Sequence, residues 1–346
     1  MIQHFDSVLH LGDPAFTASN LVSAAKSRGL DWDVLNWATP SRKSGFLTSM
    51  MDRAIRGARW ELSFAKQRMR KKHVHLHSAL AINQVRWALG KYTLHLHGTD
   101  IRSRLYDPAF SHKVKNAVNN ACTVLYATPD LAEHVHPLRD DAILIPVPVA
   151  VNEELGSIPQ ILHEFDSYVF FTSRWEDVKG GAAQLNIASV IRKALPRNIG
   201  VVGLDWGPLS KQAQDIGVTL IPKLSHKDFS TVISIASVCI GQFSGVMGAS
   251  ELDALARNTP LVMPLKSEWY SGTHPSLTNV PVLGGTALSI NDPDEIVDLV
   301  KTVLSEENKS DTLSWVLEHH SPEASLDYVL AAYNTSTTGF SKESGI

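Results

Sequence analysis

VCIGQFSGVMGASELDALARNTPLVM, residues 238 to 263, reads as an apolar strand, a glycine-bearing turn, a short helix and a second apolar strand. Val238, Cys239 and Ile240 are too few for a helix. Gly241, Ser244, Gly245 and Gly248 break the pattern, and Ala249 to Ala256 restarts it with good helix formers. Such a strand-to-helix turn leaves main-chain N–H groups unpaired at the helix N-terminus, where the macrodipole adds roughly half a positive charge. A phosphate fits there without a dedicated side chain. Glu251 and Asp253 follow at the start of the helix, and either carboxylate is placed to accept from sugar hydroxyls. The same pattern also suits any βα turn of a Rossmann-like domain, in which the acids merely complement the dipole.

Outward from this stretch, 346 residues are enough for two domains, each with its own core. The chain is 44% hydrophobic and 19% charged, and it has no apolar run near the ~20 residues of a membrane span. The start, MIQHFDSVLHLGD, has no basic segment leading into a hydrophobic one, so no signal peptide is expected. Cys122 and Cys239 sit in separate apolar runs, which points to reduced core thiols and a cytoplasmic setting. Net charge is only -3, yet residues 1–150 carry 19 Lys+Arg against 12 Asp+Glu and the remainder 13 against 23. The basic half points to an anionic partner: a phosphorylated acceptor, the anionic inner face of a membrane or, less favoured, nucleic acid. Much of the excess is local, in Arg53, Arg56, Arg59, Lys66, Arg68, Arg70, Lys71 and Lys72, a pattern that a solvated helix face also produces.

In chain order, Ser7 to Leu11 reads as a strand, followed by a loop with Gly12 and Asp13, a helix ending at Gly29 and a strand over Trp32–Trp37. This is the opening of a doubly wound α/β domain, and its first loop lies at the carboxyl edge where such sheets bind ligands. Asp13 also suits a helix cap. Next come a basic helical region, a strand over His73–His77, a helix around Ala81–Leu89 and a strand over Tyr92–His97 leading into Gly98, Thr99 and Asp100. His73, His75 and His77 share one strand face and His95 and His97 another, so a metal cluster has to be weighed. No Cys or carboxylate lies at ligand spacing, which favours structural histidines. A helix end and strand over residues 119–128, a helix starting at Pro129–His134 and a strand over Ala142–Pro148 follow, then a polar linker near 150–162. The second half restarts with strands at Tyr168–Thr172, Ile199–Leu204 and Val218–Ile221, helices at Ala182–Leu195 and Lys227–Ala236, a closing helical segment Trp315–Asn334 and a frayed tail.

Arg174 and Lys179 stand five residues apart in SRWEDVKGG, a loop following a strand. Arg offers a planar fork and Lys a point charge, and Gly180 permits close backbone approach, so the pair suits one diphosphate. Two surface cations in a loop would read the same way.

The order of these pieces resembles the retaining glycosyltransferases of the GT-B fold, the large nucleotide-sugar-dependent group similar to glycosyltransferase family 4. The resemblance rests on Leu11-Gly12-Asp13, His97-Gly98-Thr99-Asp100, Thr128-Pro129-Asp130-Leu131, the Ile145–Val149 strand end, Arg174 with Lys179-Gly180, and Asp253-Ala254-Leu255-Ala256-Arg257-Asn258-Thr259-Pro260. It implies an α/β chain of two Rossmann-like domains facing across a cleft: an acceptor domain over residues 1–152, a donor domain over 163–318, and a helix over 319–346 packing back toward the first domain. It also implies transfer of a sugar from a nucleotide diphosphate, UDP or GDP, to an acceptor hydroxyl, with no cofactor and no metal. Arg174 and Lys179 would hold the diphosphate and neutralise the leaving charge. Asp253 would accept from ribose hydroxyls. The amides near Gly245, Val246, Met247, Gly248 and Ala249 would face phosphate or sugar, together with Gly12 and Gln242. Lys223 and Leu224 would border the base, His97 the transferred sugar, and Asp13 and Asp100 the acceptor. Departures accompany the match: Gly245 stands where the family carries the first of two carboxylates, Asn258 replaces a glycine, and Ala150 replaces an acid. Readings kept open are an acceptor in modified DNA or protein, a GT-B epimerase and a non-catalytic sugar-nucleotide binder.

Overall fold

The computed structural model describes residues 5–37, 46–151, 154, 156–289, 292–306 and 311–339. Residues 152, 153 and 155 of the expected linker and 340–346 of the expected tail lie outside them. The first half runs β1 (Ser7–Leu11), α1 (Thr17–Ser27), β2 (Asp31–Leu35), α2 (Phe46–Arg68), β3 (His73–Leu76), α3 (Ile82–Val85), β4 (Tyr92–Leu96), α4 (Ser111–Asn120), β5 (Thr123–Tyr126), α5 (Ala132–Val135) and β6 (Ile143–Leu144). The second half runs β7 (Ser167–Phe171), α6 (Gly181–Ala194), β8 (Ile199–Leu204), α7 (Ser210–Asp215), β9 (Thr219–Ile221), α8 (His226–Ile235), β10 (Val238–Ile240), α9 (Ala249–Ala256), β11 (Leu261–Pro264), β12 (Leu283–Gly285), α10 (Pro293–Ser305), α11 (Leu313–His319) and α12 (Pro322–Gly339).

Two compact units result: residues 1–148 with 322–346, and Val149–Ser321. Each is built on a six-stranded parallel sheet, ordered β2-β1-β3-β4-β5-β6 in the first unit and β12-β11-β10-β7-β8-β9 in the second. Parallel strands covered on both faces are apolar throughout, and β7 and β8 follow that rule. In the first unit β3 (HVHL) and β4 (YTLHL) break it, because their buried faces carry imidazoles.

The chain reverses direction across the sheet between β1 and β3 in the first unit and between β7 and β10 in the second. Ligands of open α/β sheets bind outside the carboxyl ends of the strands at such points. The loops bearing Gly12 and Asp13, and those bearing Arg174 and Gln242, leave the sheets there.

Helix α12 closes the first core. Leu326, Val329, Ala332 and Tyr333 pack with Val8, Leu21, Trp32 and Leu125, and Tyr333 stacks on Phe5 with ring centroids 4.2 Å apart. Three sequence expectations shift for identifiable reasons. The closing helical segment is two helices, because Pro322 cannot donate the hydrogen bond that would continue α11 and instead opens α12. The strand expected over 142–148 shrinks to two residues, since Pro146 and Pro148 have no N–H for a ladder. The helix expected over 81–89 is one turn, α3. β12 and α10 are additional to the elements expected from the sequence.

Candidate functional site

In the second unit, Trp175 is fully buried and anchors the loop after β7: its indole N–H donates to Leu204 O at 3.0 Å, and its main-chain N–H to Trp206 O at 2.9 Å. Arg174, beside it, is held at the surface, where its Nε donates to Glu176. Its guanidinium lies 5.3 Å from the Trp206 ring centroid, and Lys223 Nζ lies 4.1 Å from the same ring. Cations this close to an indole are attracted by its quadrupole. Three strand ends, those of β7, β8 and β9, thus deliver Arg174, Trp206 and Lys223 to one place. Leu224, the next residue, is half-buried.

Lys179 is half-buried, and its carbonyl accepts from Phe243 N at 2.9 Å, which ties the Arg174–Lys179 loop to the turn after β10. Gly180 is needed at this junction: its φ is +80°, and a Cβ there would lie 2.7 Å from Phe243 Cβ. Gly245 has φ +86° and no room for a Cβ, which would lie 2.5 Å from Lys266 Cγ, so a side chain such as the carboxylate that the resemblance places here is excluded sterically. Inside the turn, Gln242 Nε2 donates to Val246 O at 2.5 Å and Tyr270 Oη accepts from Met247 N at 2.8 Å. The Met247 amide, expected to face phosphate, is therefore already paired. Gly248 N is also paired, to Glu251 Oε2 at 2.9 Å, whereas Ala249 and Ser250, opening α9, have no intrahelical acceptor for their amides.

Both carboxylates named for the donor are buried, Glu251 to 1% and Asp253 to 2% exposure. Glu251 Oε1 accepts from Thr172 Oγ1 at 3.2 Å, Ser173 Oγ at 2.9 Å and Gln242 N at 3.1 Å, fastening the loops after β7 and β10 to α9. Asp253 turns toward α8: it accepts from Ser230 Oγ at 2.7 Å and pairs with Arg257 at 3.5 Å. Expected to meet ribose, Asp253 is directed inward by the packing of α8 on α9. Asn258 takes φ +54° just past α9, a conformation that asparagine tolerates in place of glycine, and its Oδ1 caps α11 through Thr312 N and Leu313 N.

In the first unit, Gly12 has φ +86°, and Trp37 packs where its Cβ would be. Asp13 caps α1, accepting from Ser19 N at 3.0 Å and from Ser19 Oγ. Asp100 is 6% exposed and accepts from Ala79 N at 3.2 Å and Ile101 N at 3.1 Å; burial raises its pKa. Both acids expected to meet an acceptor thus accept from main-chain amides, Asp13 within its own segment and Asp100 from its own loop and from the segment after β3. His97 ends β4 half-buried, before Gly98 at φ +126°. Its Nε2 lies 2.9 Å from His77 Nδ1, and burial pushes its pKa down to about 3.

His97 belongs to a larger set. His77 Nε2 meets His10 Nδ1 at 2.9 Å, His75 Nε2 meets His95 Nδ1 at 3.2 Å, His75 Nδ1 meets Tyr333 Oη at 2.6 Å and His73 Nε2 meets Thr93 Oγ1 at 2.9 Å. Sequence spacing paired the histidines within each strand. That β3 and β4 stack them face to face, and that His10 of β1 lies in register with His75, follows from the sheet order. Among the basic run, Lys71 is buried against Asp31 at 2.5 Å and Asp33 at 2.7 Å, while Arg68 donates to Ala88 O and Lys71 O. Arg53, Arg59, Lys66, Arg70 and Lys72 are exposed.

No family model matches the chain, and no curated protein matches it. Solved structures do. The chain is similar to HepE from Anabaena, solved with UDP and glucose, at TM-score 0.64 and 12% identity over 95% of this chain and 99% of that one. It is similar to a UDP-N-acetylglucosamine 2-epimerase described as putative, from Listeria monocytogenes, at TM-score 0.56 and 13% identity over 96% of each chain. It is also similar to TarM, at TM-score 0.56 and 14% identity over 76% of this chain and 54% of that one. At these identities the likeness establishes the fold: an α/β chain of two Rossmann-like domains, the GT-B architecture.

Proposed function

We propose that the chain is a retaining glycosyltransferase that moves a hexosyl or pentosyl group from a UDP- or GDP-sugar to an acceptor hydroxyl. The observation carrying this reading is the convergence of Arg174 and Lys223 on the Trp206 indole, beside the turn that opens α9. Two cations and the amides of Ala249 and Ser250 at one sheet edge suit the negative charge of a diphosphate. The structures of HepE with UDP-glucose and with UDP and glucose lend support from the same fold. Arg174 and Lys179 take the charge that develops on the leaving diphosphate, and that leaving oxygen receives the acceptor's proton, so no protein nucleophile is required. Lys223 and Leu224 border the base. His97, uncharged at pH 7, serves by hydrogen bonding rather than as a proton donor. The reaction needs no metal on this reading. A non-catalytic binder would bind the donor without hydrolysing or transferring it.

Arg174→Ala tests the diphosphate contact. Donor affinity falls about 10- to 150-fold, the 1.5–3 kcal/mol of a hydrogen bond to a charged group. In thermal-shift titrations with UDP- and GDP-sugars the ligand-induced rise disappears while the unliganded melt is unchanged. A full shift in the variant refutes the assignment.

The acceptor is anionic or held at an anionic surface on this proposal. Along α2 and just beyond it, Ile55, Leu62 and Met69 recur every seven residues and are 49%, 71% and 82% exposed, interleaved with exposed Arg59, Lys66 and Arg70. Exposed apolar side chains among basic ones suit a phospholipid interface, where each Lys or Arg adds about 1 kcal/mol. No helix among the described residues is long and apolar enough to cross a membrane. The chain should cosediment with phosphatidylglycerol vesicles at 50 mM NaCl and be released at 500 mM. Binding that ignores salt, or that persists with neutral vesicles, removes this placement.

A further inference from the structure

Three parallel strands of the first unit place imidazoles side by side on one sheet face. His77 Nδ1 and His97 Nε2 are 2.9 Å apart, and one ring nitrogen each of His77, His95 and His97 lies within 4.8 Å of those of the other two. His95 Nε2 is buried with no hydrogen-bond partner, an arrangement that costs free energy unless something binds it. The other nitrogens of the two buried rings are already supported: His77 Nε2 by His10 Nδ1 at 2.9 Å, and His95 Nδ1 by His75 Nε2 at 3.2 Å, with His75 held in turn by Tyr333 Oη at 2.6 Å. Metal-bound histidines show this division, with one nitrogen on the ion and the other fixed by an outer partner.

We propose that His77, His95 and His97 form a three-imidazole site for a late first-row divalent cation of the zinc, cobalt or nickel class. The donor set selects the class: three neutral nitrogens without carboxylate or carbonyl oxygen suit these ions and not magnesium or calcium. Two ligand nitrogens on a tetrahedral ion with bonds of 2.0–2.1 Å stand about 3.3 Å apart, so the His77–His97 pair needs only a small opening. Burial keeps all three rings in the uncharged form that metals require. His97 alone among them is not fully buried, so the ion enters from the carboxyl end of β4, and a fourth position remains there for water. The neighbouring trio of His10, His75 and His77 is less suited, because both nitrogens of His75 are engaged and all three rings are buried. With the ion on Nε2, His97 keeps Nδ1–H for any sugar contact, and the site stands whether or not the transferase reading does.

The test is cobalt(II) titration of the untagged, chelator-treated full chain, followed by the visible d–d absorption of a nitrogen-ligated ion and by displacement with zinc. One equivalent per chain is expected, with affinity reduced at least a hundredfold in both His95→Leu and His97→Ala and unchanged in His112→Ala, which alters a surface histidine. Melting curves of the metal-free variants establish that they fold; His97→Ala, at a strand end, carries the test if His95→Leu does not. Absence of stoichiometric bands in the parent chain, bands that survive both site variants, or bands lost with His112→Ala overturn the proposal. Donor sugars are omitted throughout, so the outcome is independent of the Arg174 result.

Discussion

Chelator-treated protein taken from pH 7.5 to pH 5 loses the first unit's fold, and the loss begins near pH 6.5. His10, His75, His77 and His95 are enclosed by β1, β3, β4, Trp32 and Tyr333, with His97 at the edge of the set. The groups facing them are other imidazoles and the Tyr333 hydroxyl, and no carboxylate is bonded to any of the five among the described residues. Desolvation depresses all five pKa values, with the proximity of other imidazoles adding to it for His10, His75, His77 and His95; His10 and His97 fall to about 3. In the unfolded chain the same groups titrate near 6.5. Below that pH the unfolded state therefore binds more protons, so stability is complete above 6.5 and declines as pH falls toward 3. Each such group contributes about 1.4 kcal/mol per pH unit, and five acting together overtake a stability of 5–15 kcal/mol within about two units. Urea titrations at pH 7.5, 6.5 and 5.5 measure the slope. His10→Phe with His75→Leu should remove two protons from it, and a flat profile from 7.5 to 5 would mean that the imidazoles are not neutral and buried together.

How far the sequence led can be judged on these same residues. Apolar runs broken by Gly12, Gly180 and Gly248 located both sheets, because a parallel strand buried on two faces has a composition that few other elements share. The Arg174–Lys179 spacing located a loop at the carboxyl end of β7. What sequence could not supply was register. His10 lies 65 residues from His75, and only the β1–β3 pairing joins them. Trp206 lies just past the strand over Ile199–Leu204, and an aromatic residue between Arg174 and Lys223 in the sheet order is the signal that marks it. Side-chain direction was the other gap. Asp13, Asp100 and Asp253 carry negative charge at the expected turns, yet nearby groups capture them: Ser19 for Asp13, the amides of Ala79 and Ile101 for Asp100, and the Ser230 hydroxyl on α8 for Asp253.

Glu251→Ala, by contrast with Asp253→Asn, should unfold the second unit early. Removing the Glu251 carboxylate strips the acceptor from Thr172 Oγ1, Ser173 Oγ, Gln242 N and Gly248 N, three of them on buried residues. Leaving buried donors unpaired costs about 1–3 kcal/mol each, and losses within one network are less than additive, so about 3–5 kcal/mol is expected. Asp253→Asn keeps an oxygen for Ser230 and weakens a 3.5 Å ion pair, at about 1 kcal/mol. Urea denaturation followed by tryptophan fluorescence separates the two. The contrast matters for function because Glu251 joins the loop that ends at Arg174 to the turn that begins α9. Glu251→Gln retains the shape and opposes its amide N–H groups to the main-chain donors, so it should weaken donor binding more than its stability loss accounts for. If Glu251→Ala melts within about 1 kcal/mol of the parent while Asp253→Asn falls by several, the carboxylate holding the turn is Asp253.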